Sequence, residues 1–142
     1  MSLNRVVFTL LPMLLISCSS PPPDAAYLEK AASMPGATRT PSGLVYRELR
    51  PGTGTSPFMT DTVKVNYSGT LIDGKKFDSG DNVSFPLNRV IPCWTEGVQR
   101  MKVGGKAELV CPASLAYGAN GSSPLIPGGA TLVFEVELLG IG

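Results

Sequence analysis

The sequence contains no histidine, and this absence limits the chemistry that the protein can perform. Without imidazole there is no Ser-His-Asp or Cys-His catalytic group, no zinc site built on histidine and no imidazole proton relay. An excess of charge of either sign is also missing. The 142 residues include 12 Lys and Arg and 11 Asp and Glu, so the net charge is +1. A surface so close to neutral lacks the basic field that nucleic acid binding requires. We therefore expect no nucleic acid partner and an activity that works without histidine.

Long hydrophobic runs are missing as well, since the most apolar segment, residues 6–16, has 11 residues. A helix that crosses a bilayer needs about 20 apolar residues, whereas the apolar region of a signal peptide has about 7–15. The segment leads into Leu-Ile-Ser-Cys at residues 15–18, which resembles the bacterial lipobox. This resemblance implies cleavage after Ser17 and attachment of a lipid to the Cys18 thiol. The alternative is an ordinary signal peptide followed by a chance cysteine.

These features predict three segments and a location. Residues 1–17 would be the lipoprotein signal peptide, residues 18–40 the lipidated cysteine with a Pro-rich linker and a short N-terminal arm, and residues 41–142 the folded domain. Cleavage would leave 11 basic and 11 acidic residues, so the membrane contact would depend on lipid and not on charge. We expect a lipid-anchored protein of the bacterial cell envelope that faces the periplasm. Ser19 after Cys18 suggests the outer membrane, by analogy with enterobacterial sorting.

The N-terminal arm contains one short helical pattern. Residues 25–33 are rich in Ala, Leu, Glu and Lys, and Asp24 could cap the helix at its start. Pro35 and Gly36 would end it. An isolated helix of this length is marginally stable, so a frayed tether and a dimerisation arm are both open interpretations.

Strand patterns dominate residues 41–142. Residues 63–71 alternate between apolar and polar positions, and similar strand patterns cover residues 44–49, 106–112 and 131–138. Asp73-Gly74 is typical of a tight turn. One core helix is predicted, with Pro92 in its first turn and an end at residues 102–105; its apolar positions are Ile91, Trp94, Val98 and Met101. We expect an α+β fold in which a curved antiparallel sheet wraps around this helix.

Five blocks, in order, resemble the FKBP family of domains. They are V-N-Y-S-G at residues 65–69, D-G-K-K-F-D-S at 73–79, F-P-L with V-I-P-C-W at 85–94, L-A-Y-G at 115–118 and I-P-G-G-A-T-L-V-F-E-V-E-L at 126–138. The similarity covers residues 43–142 and implies an FKBP-like fold. Together with the lipobox it suggests the bacterial Mip-like branch, although the arm is too short for the long dimerising helix of that branch.

The resemblance implies a peptidyl-prolyl cis-trans isomerase that acts on Pro-containing polypeptides among exported or envelope proteins. Rotation of the X-Pro bond breaks no bond, so no nucleophile, metal or cofactor is needed. Macrolides such as FK506 and rapamycin are the expected inhibitors. Two alternatives stay open, namely a non-catalytic chaperone or binding lipoprotein that uses the same groove, and a purely structural lipoprotein.

The resemblance also implies which residues form the site. Catalytic roles would fall on Tyr67, Asp78, Tyr117 and Phe134, and substrate-binding roles on Phe77, Phe85, Val90, Ile91, Trp94 and Ile126. Trp94 would be the floor under the proline ring, and Tyr117 OH and the Ile91 N–H would hold flanking carbonyls. Taken singly, Trp94, Phe134 and Tyr67 would more often be ordinary core residues. Asp78 would more often be a turn cap, and only the joint occurrence of these residues at the family's positions favours a binding pocket. Cys93 departs from the family's usual glycine, and the expected loop at residues 79–84 is short and brings no basic partner for Asp78.

Cys93 and Cys111 remain once Cys18 is lipidated, an even number in an oxidising compartment. Cys111 shares a strand face with Leu109, and Cys93 begins the helix that should pack on that strand. These positions predict a structural disulfide. The alternative is a pair of buried thiols that act as small apolar side chains.

Overall fold

The computed structural model describes residues 23–142, so the predicted signal peptide and Cys18 lie outside the described residues. These residues form six strands: β1 (Ala37–Arg39), β2 (Val45–Arg50), β3 (Thr62–Leu71), β4 (Lys76–Pro86), β5 (Lys106–Cys111) and β6 (Leu132–Ile141). They make one sheet in the order β1-β2-β5-β6-β3-β4, in which every neighbouring pair is antiparallel. Helix α1 spans Pro23–Ala32, helix α2 spans Pro92–Val98, and a 3₁₀ turn covers Leu87–Arg89.

The main core lies between α2 and one face of the sheet. β6 alternates buried and partly exposed residues along its length, as the sequence predicts, and its buried residues are Leu132, Phe134, Val136 and Leu138. Val63 and Val65 of β3 face the same core, together with Trp94 and Val98 of α2. Because strand side chains alternate in direction with a period of two, each of these strands supplies one apolar face to the helix. The predicted α+β class is confirmed.

Helix α1 covers the opposite face of the sheet. Its buried residues Leu28 and Ala31 pack with Val45 of β2 and Val110 of β5 in a second apolar cluster. The helix begins at Pro23, so Asp24 lies within the first turn of the helix. The Asp24 Oδ1 accepts a hydrogen bond from the Thr131 N–H at 3.3 Å. Residues 23–32 are therefore part of the folded body and not a frayed tether. β1 follows and pairs with β2, which places a sheet strand before the predicted domain start at residue 41.

β4 is, with β1, a strand that the sequence pattern did not indicate. Residues 79–84, expected as a short loop, lie inside β4, and the β3–β4 register shifts between Val65 and Tyr67. Asn82 adopts φ 60° in this part of the strand, and its N–H donates to Asn66 Oδ1 at 2.7 Å. Asn tolerates this left-handed conformation better than most residues. The register shifts a second time between Gly69 and Thr70, and Phe77 and Phe85 of β4 both line the same cavity.

Helix α2 is shorter than its apolar spacing suggests. It ends at Val98, and Met101 is buried beyond the helix end and not on it. Gly104 has φ 92° and its N–H donates to the Leu138 carbonyl at 2.8 Å, which turns the chain back toward β6. Within residues 23–142 no helix has both the length and the apolar character needed to cross a bilayer.

Candidate active site

A cavity of about 440 Å³ opens between α2 and the sheet. Its residues come from β3, β4, the turn that leads into α2, α2 itself, the segment after β5, and β6. They are Tyr67, Phe77, Asp78, Phe85, Arg89, Val90, Ile91, Trp94, Tyr117 and Phe134. A volume of this size falls within the range of about 300–1,000 Å³ that is typical of small-molecule sites.

Six of the ten residues that line the cavity are aromatic. Five of their rings meet edge to face, those of Tyr67, Phe77, Phe85, Trp94 and Phe134. The Trp94 ring lies 5.2 Å from Tyr67, 5.4 Å from Phe85 and 5.4 Å from Phe134 between centroids. Phe77 continues the series at 5.5 Å from Phe134. Each such pair contributes about 0.5–1.5 kcal/mol beyond area burial. Trp94 is only 4% exposed, so the cavity has a rigid floor.

Gly69 of β3 makes this aromatic arrangement possible. A Cβ atom at this position would lie 2.6 Å from Cζ of Phe77 and 2.8 Å from Cε1 of Phe134. Real Cβ atoms essentially never approach other atoms so closely. The glycine is required because the two rings rest directly on the backbone of the strand.

Asp78 fixes the phenol of Tyr67 at the edge of the cavity. Tyr67 OH donates to Asp78 Oδ2 at 2.9 Å, and the Ser79 N–H donates to Asp78 Oδ1 at 2.9 Å. Burial, followed by this hydrogen bond and the negative charge of Asp78, raises the pKa of Tyr67 to about 12. The phenol is therefore protonated at neutral pH and remains a donor to the carboxylate.

Two residues that line the cavity carry further donors that have no acceptor in the described part of the chain. The Ile91 carbonyl accepts the Trp94 N–H at 3.0 Å and the Thr95 N–H at 3.2 Å, which starts α2. The Ile91 N–H has no acceptor among residues 23–142. Tyr117 is 40% exposed, and its hydroxyl likewise makes no hydrogen bond to the described residues. An apolar cavity with a few polar groups at its rim can bind an apolar ring and the carbonyls beside it.

The model of the family described as FKBP-type peptidyl-prolyl cis-trans isomerase matches residues 54–139, which is more than half of the chain. The chain belongs to this family. The membership predicted from the five sequence blocks is thereby confirmed.

Relatives of the chain within the FKBP family come from several bacteria. It is 53% identical over 119 residues to the FKBP-type peptidyl-prolyl cis-trans isomerase FkpA of Aeromonas hydrophila. This match covers 81% of this chain and 44% of the relative. It is 42% identical over 120 residues to the outer membrane protein MIP of Legionella longbeachae, covering 82% and 52% respectively. The chain thus spans about half the length of these curated relatives.

A solved structure supports the same fold for this FKBP chain. The crystal structure of a peptidyl-prolyl cis-trans isomerase from Pseudomonas syringae pv. tomato matches with a TM-score of 0.81 and 38% identity. The match covers 84% of this chain and 90% of that structure. The expected FKBP-like architecture is therefore confirmed.

Nearly all of the residues that the FKBP resemblance implies lie around the cavity, with one exception. Ile126 is buried in the main core with Trp94 and Phe134 and does not line the cavity. Its N–H and carbonyl both pair with Ser122, at 2.9 and 2.8 Å, in a narrow hairpin. Arg89 lines the cavity, although the sequence analysis does not include it among the site residues. Its position directly before the predicted site residues Val90 and Ile91 is the sequence signal that could have identified it.

The two cysteines lie directly behind the cavity floor. The structure joins Cys93 to Cys111 by a disulfide with 5.8 Å between the Cα atoms, and both residues are fully buried. The bond links the first turn of α2 to the end of β5, next to Trp94.

Within residues 23–142 no group of three or more Asp, Glu or Cys side chains is arranged to hold a metal ion.

Proposed function

We propose that this chain is a peptidyl-prolyl cis-trans isomerase that rotates X-Pro bonds in exported or envelope proteins. The observation that carries the proposal is the cavity itself, which has an aromatic floor and walls and two donors, Ile91 N–H and Tyr117 OH, that have no acceptor within residues 23–142. The proline ring would lie over Trp94, between Tyr67, Phe77 and Phe134. Ile91 N–H and Tyr117 OH would hold the carbonyls on either side of the rotating bond.

Such a cavity can lower the barrier without a covalent step. The planar amide is stabilised by resonance that polarises its carbonyl, and losing this resonance accounts for the barrier of about 18–20 kcal/mol. Aromatic walls cannot solvate the polarised carbonyl, so they disfavour the planar form more than the twisted one. The twisted amide is therefore bound better than either planar isomer, which is the condition for catalysis. The role of Asp78 is to hold Tyr67 in position.

Catalysed exchange of an X-Pro peptide, measured by NMR, tests the proposal. Replacing Tyr117 by Ala should lower kcat/KM about two- to tenfold, because one hydrogen bond contributes about 0.5–1.5 kcal/mol. Tyr117 is 40% exposed, so this substitution should leave the fold intact. Rapamycin, which we propose occupies the same cavity, should abolish the exchange.

Phe58→Ala is the matched control, since Phe58 is 72% exposed and lies outside the cavity. The Phe58→Ala protein should isomerise the peptide at the wild-type rate. Peptide binding without any rate enhancement would support the non-catalytic chaperone or binder instead. The absence of both binding and catalysis would leave a structural lipoprotein.

We further propose that Cys18 carries lipid and holds the domain at the outer membrane, facing the periplasm. The lipobox-like residues 15–18 support this, and one relative is named an outer membrane protein. Cells fed a clickable fatty acid should label the wild-type protein and a Ser20→Ala control. Cys18→Ala should abolish the label and release the protein from the membrane fraction. A labelled Cys18→Ala protein would contradict the assignment.

A further inference from the structure

Arg89 brings a positive charge to the candidate active site. Of the residues that line the cavity, it is the only base, and Asp78 is the only acid. The Asp78 carboxylate already accepts hydrogen bonds from Tyr67 and Ser79. The guanidinium of Arg89, in contrast, makes no ion pair or hydrogen bond within residues 23–142. The cavity therefore presents a cation whose hydrogen-bonding groups are left to solvent or to a ligand.

The other described arginines lie outside the cavity, and most of them form ion pairs, unlike Arg89. Three of them pair with glutamates: Arg47 with Glu108 at 3.3 Å, Arg50 with Glu137 at 2.6 Å, and Arg100 with Glu96 at 3.8 Å. Arg39 is exposed on β1 and has no ion pair within the described part of the chain, but it lies outside the cavity. Arg89 alone among the described arginines combines an unpaired charge with a position on the cavity wall.

The backbone that carries Arg89 is held firmly. Arg89 ends the 3₁₀ turn that starts at Leu87, and Leu87 is fully buried. The Leu87 N–H donates to the Asp61 carbonyl at 2.9 Å, and the Leu87 carbonyl accepts Thr95 Oγ1 at 2.7 Å. Since the next two residues are the cavity residues Val90 and Ile91, the charge is kept next to any polypeptide bound there.

We propose that Arg89 is a specificity residue that favours prolines flanked by Asp or Glu. The inference rests on the proposed function, because it assigns a substrate class to the same cavity. A guanidinium attracts a carboxylate and can bind it through two parallel hydrogen bonds. Because Arg89 is exposed, the preference should be modest, about two- to fivefold at low ionic strength, and should shrink as salt screens the charges.

A peptide series tests this preference directly. Two sets of tetrapeptides carry Glu, Gln or Lys, either directly before or directly after the proline. For the wild type, kcat/KM for the Glu peptide should exceed that for the Lys peptide about two- to fivefold in at least one set. Arg89→Glu should reverse this ratio. Arg39→Glu changes the net charge equally, far from the cavity, and should retain the wild-type ratio.

The result separates the charge preference from the isomerase activity. Equal Glu-to-Lys ratios in the wild type and Arg89→Glu, in both peptide sets, would overturn the role of Arg89. Loss of catalysis with the Gln peptides in every protein would instead contradict the proposed function. In that case NMR shift titrations of the same peptides compare their affinities, and the ratio of affinities still decides the role of Arg89.

Discussion

Replacing both Cys93 and Cys111 by Ala is expected to lower the free energy of unfolding by about 3 kcal/mol. The two cysteines are 18 positions apart, and a cross-link over such a loop restricts the unfolded chain. The bond also ties the first turn of the seven-residue helix α2 to β5. Urea unfolding followed by the fluorescence of Trp94, the only tryptophan, measures the change.

Reductant supplies the control for this prediction. It should shift the unfolding midpoint of the wild type toward that of the Cys93→Ala/Cys111→Ala protein and leave the double variant unaffected. Thiol titration of the urea-unfolded, unreduced protein should find neither Cys93 nor Cys111 reactive. Two reactive thiols, with no response of stability to reductant, would show that these residues act only as buried apolar side chains.

The strands β3 and β6, which bury one face, could be predicted from their alternating sequences, whereas the edge strand β4, which buries little, could not. β3 and β6 alternate because one side of each strand faces α2 and its core. β4 pairs on one side only, at the edge of the sheet, and most of its side chains are exposed. Burial therefore imposes no clear alternation of apolar and polar residues on the sequence of β4. The register shift beside Asn82 interrupts any alternation that is left.

The docking of α1 could not be predicted for a similar reason. Among residues 24–32 of this helix only Leu28 and Ala31 are buried, too few to define an apolar stripe in an Ala-rich segment. Its partners Val45 and Val110 lie on the sheet face opposite to α2. The sequence could indicate an arm, but only the packed sheet shows what the arm covers.

The cavity residues could be predicted jointly but not one at a time. Phe134 is 4% exposed, belongs to the main core and lines the cavity, so its apolar strand position alone suits either role. The five blocks together distinguish the two roles because they carry the family's spacing. Arg89 lies in the gap between the two parts of the third block, and Ile126 lies within the fifth block although its hairpin directs it into the core. Local turn geometry, which the blocks do not encode, decides both cases.

Phe77→Tyr is expected to reduce kcat/KM for an X-Pro peptide by about 10- to 100-fold. Cζ of Phe77 is directed at Gly69, and even a Cβ on that glycine would lie 2.6 Å from it. A hydroxyl on Cζ enters the same space, so the ring must move and lose its edge contact with Phe134. Overpacking of this kind costs about 1–3 kcal/mol. Because the displaced rings are walls of the cavity, we expect a loss of similar size in binding of the twisted amide, and each 1.36 kcal/mol in the barrier is about tenfold in rate.

Gly69→Ala tests the same contact from the strand side, because its methyl group would press on both Phe77 and Phe134. It should cause a similar loss of activity. Since both substitutions displace one pair of rings, the double variant should lose less than the product of the two single losses. Phe58→Tyr adds the same hydroxyl at an exposed position and should leave the rate unchanged. Full activity in a folded Phe77→Tyr protein would mean that the rings can shift without harm, so that tight aromatic packing against Gly69 is not what shapes the cavity for its substrate.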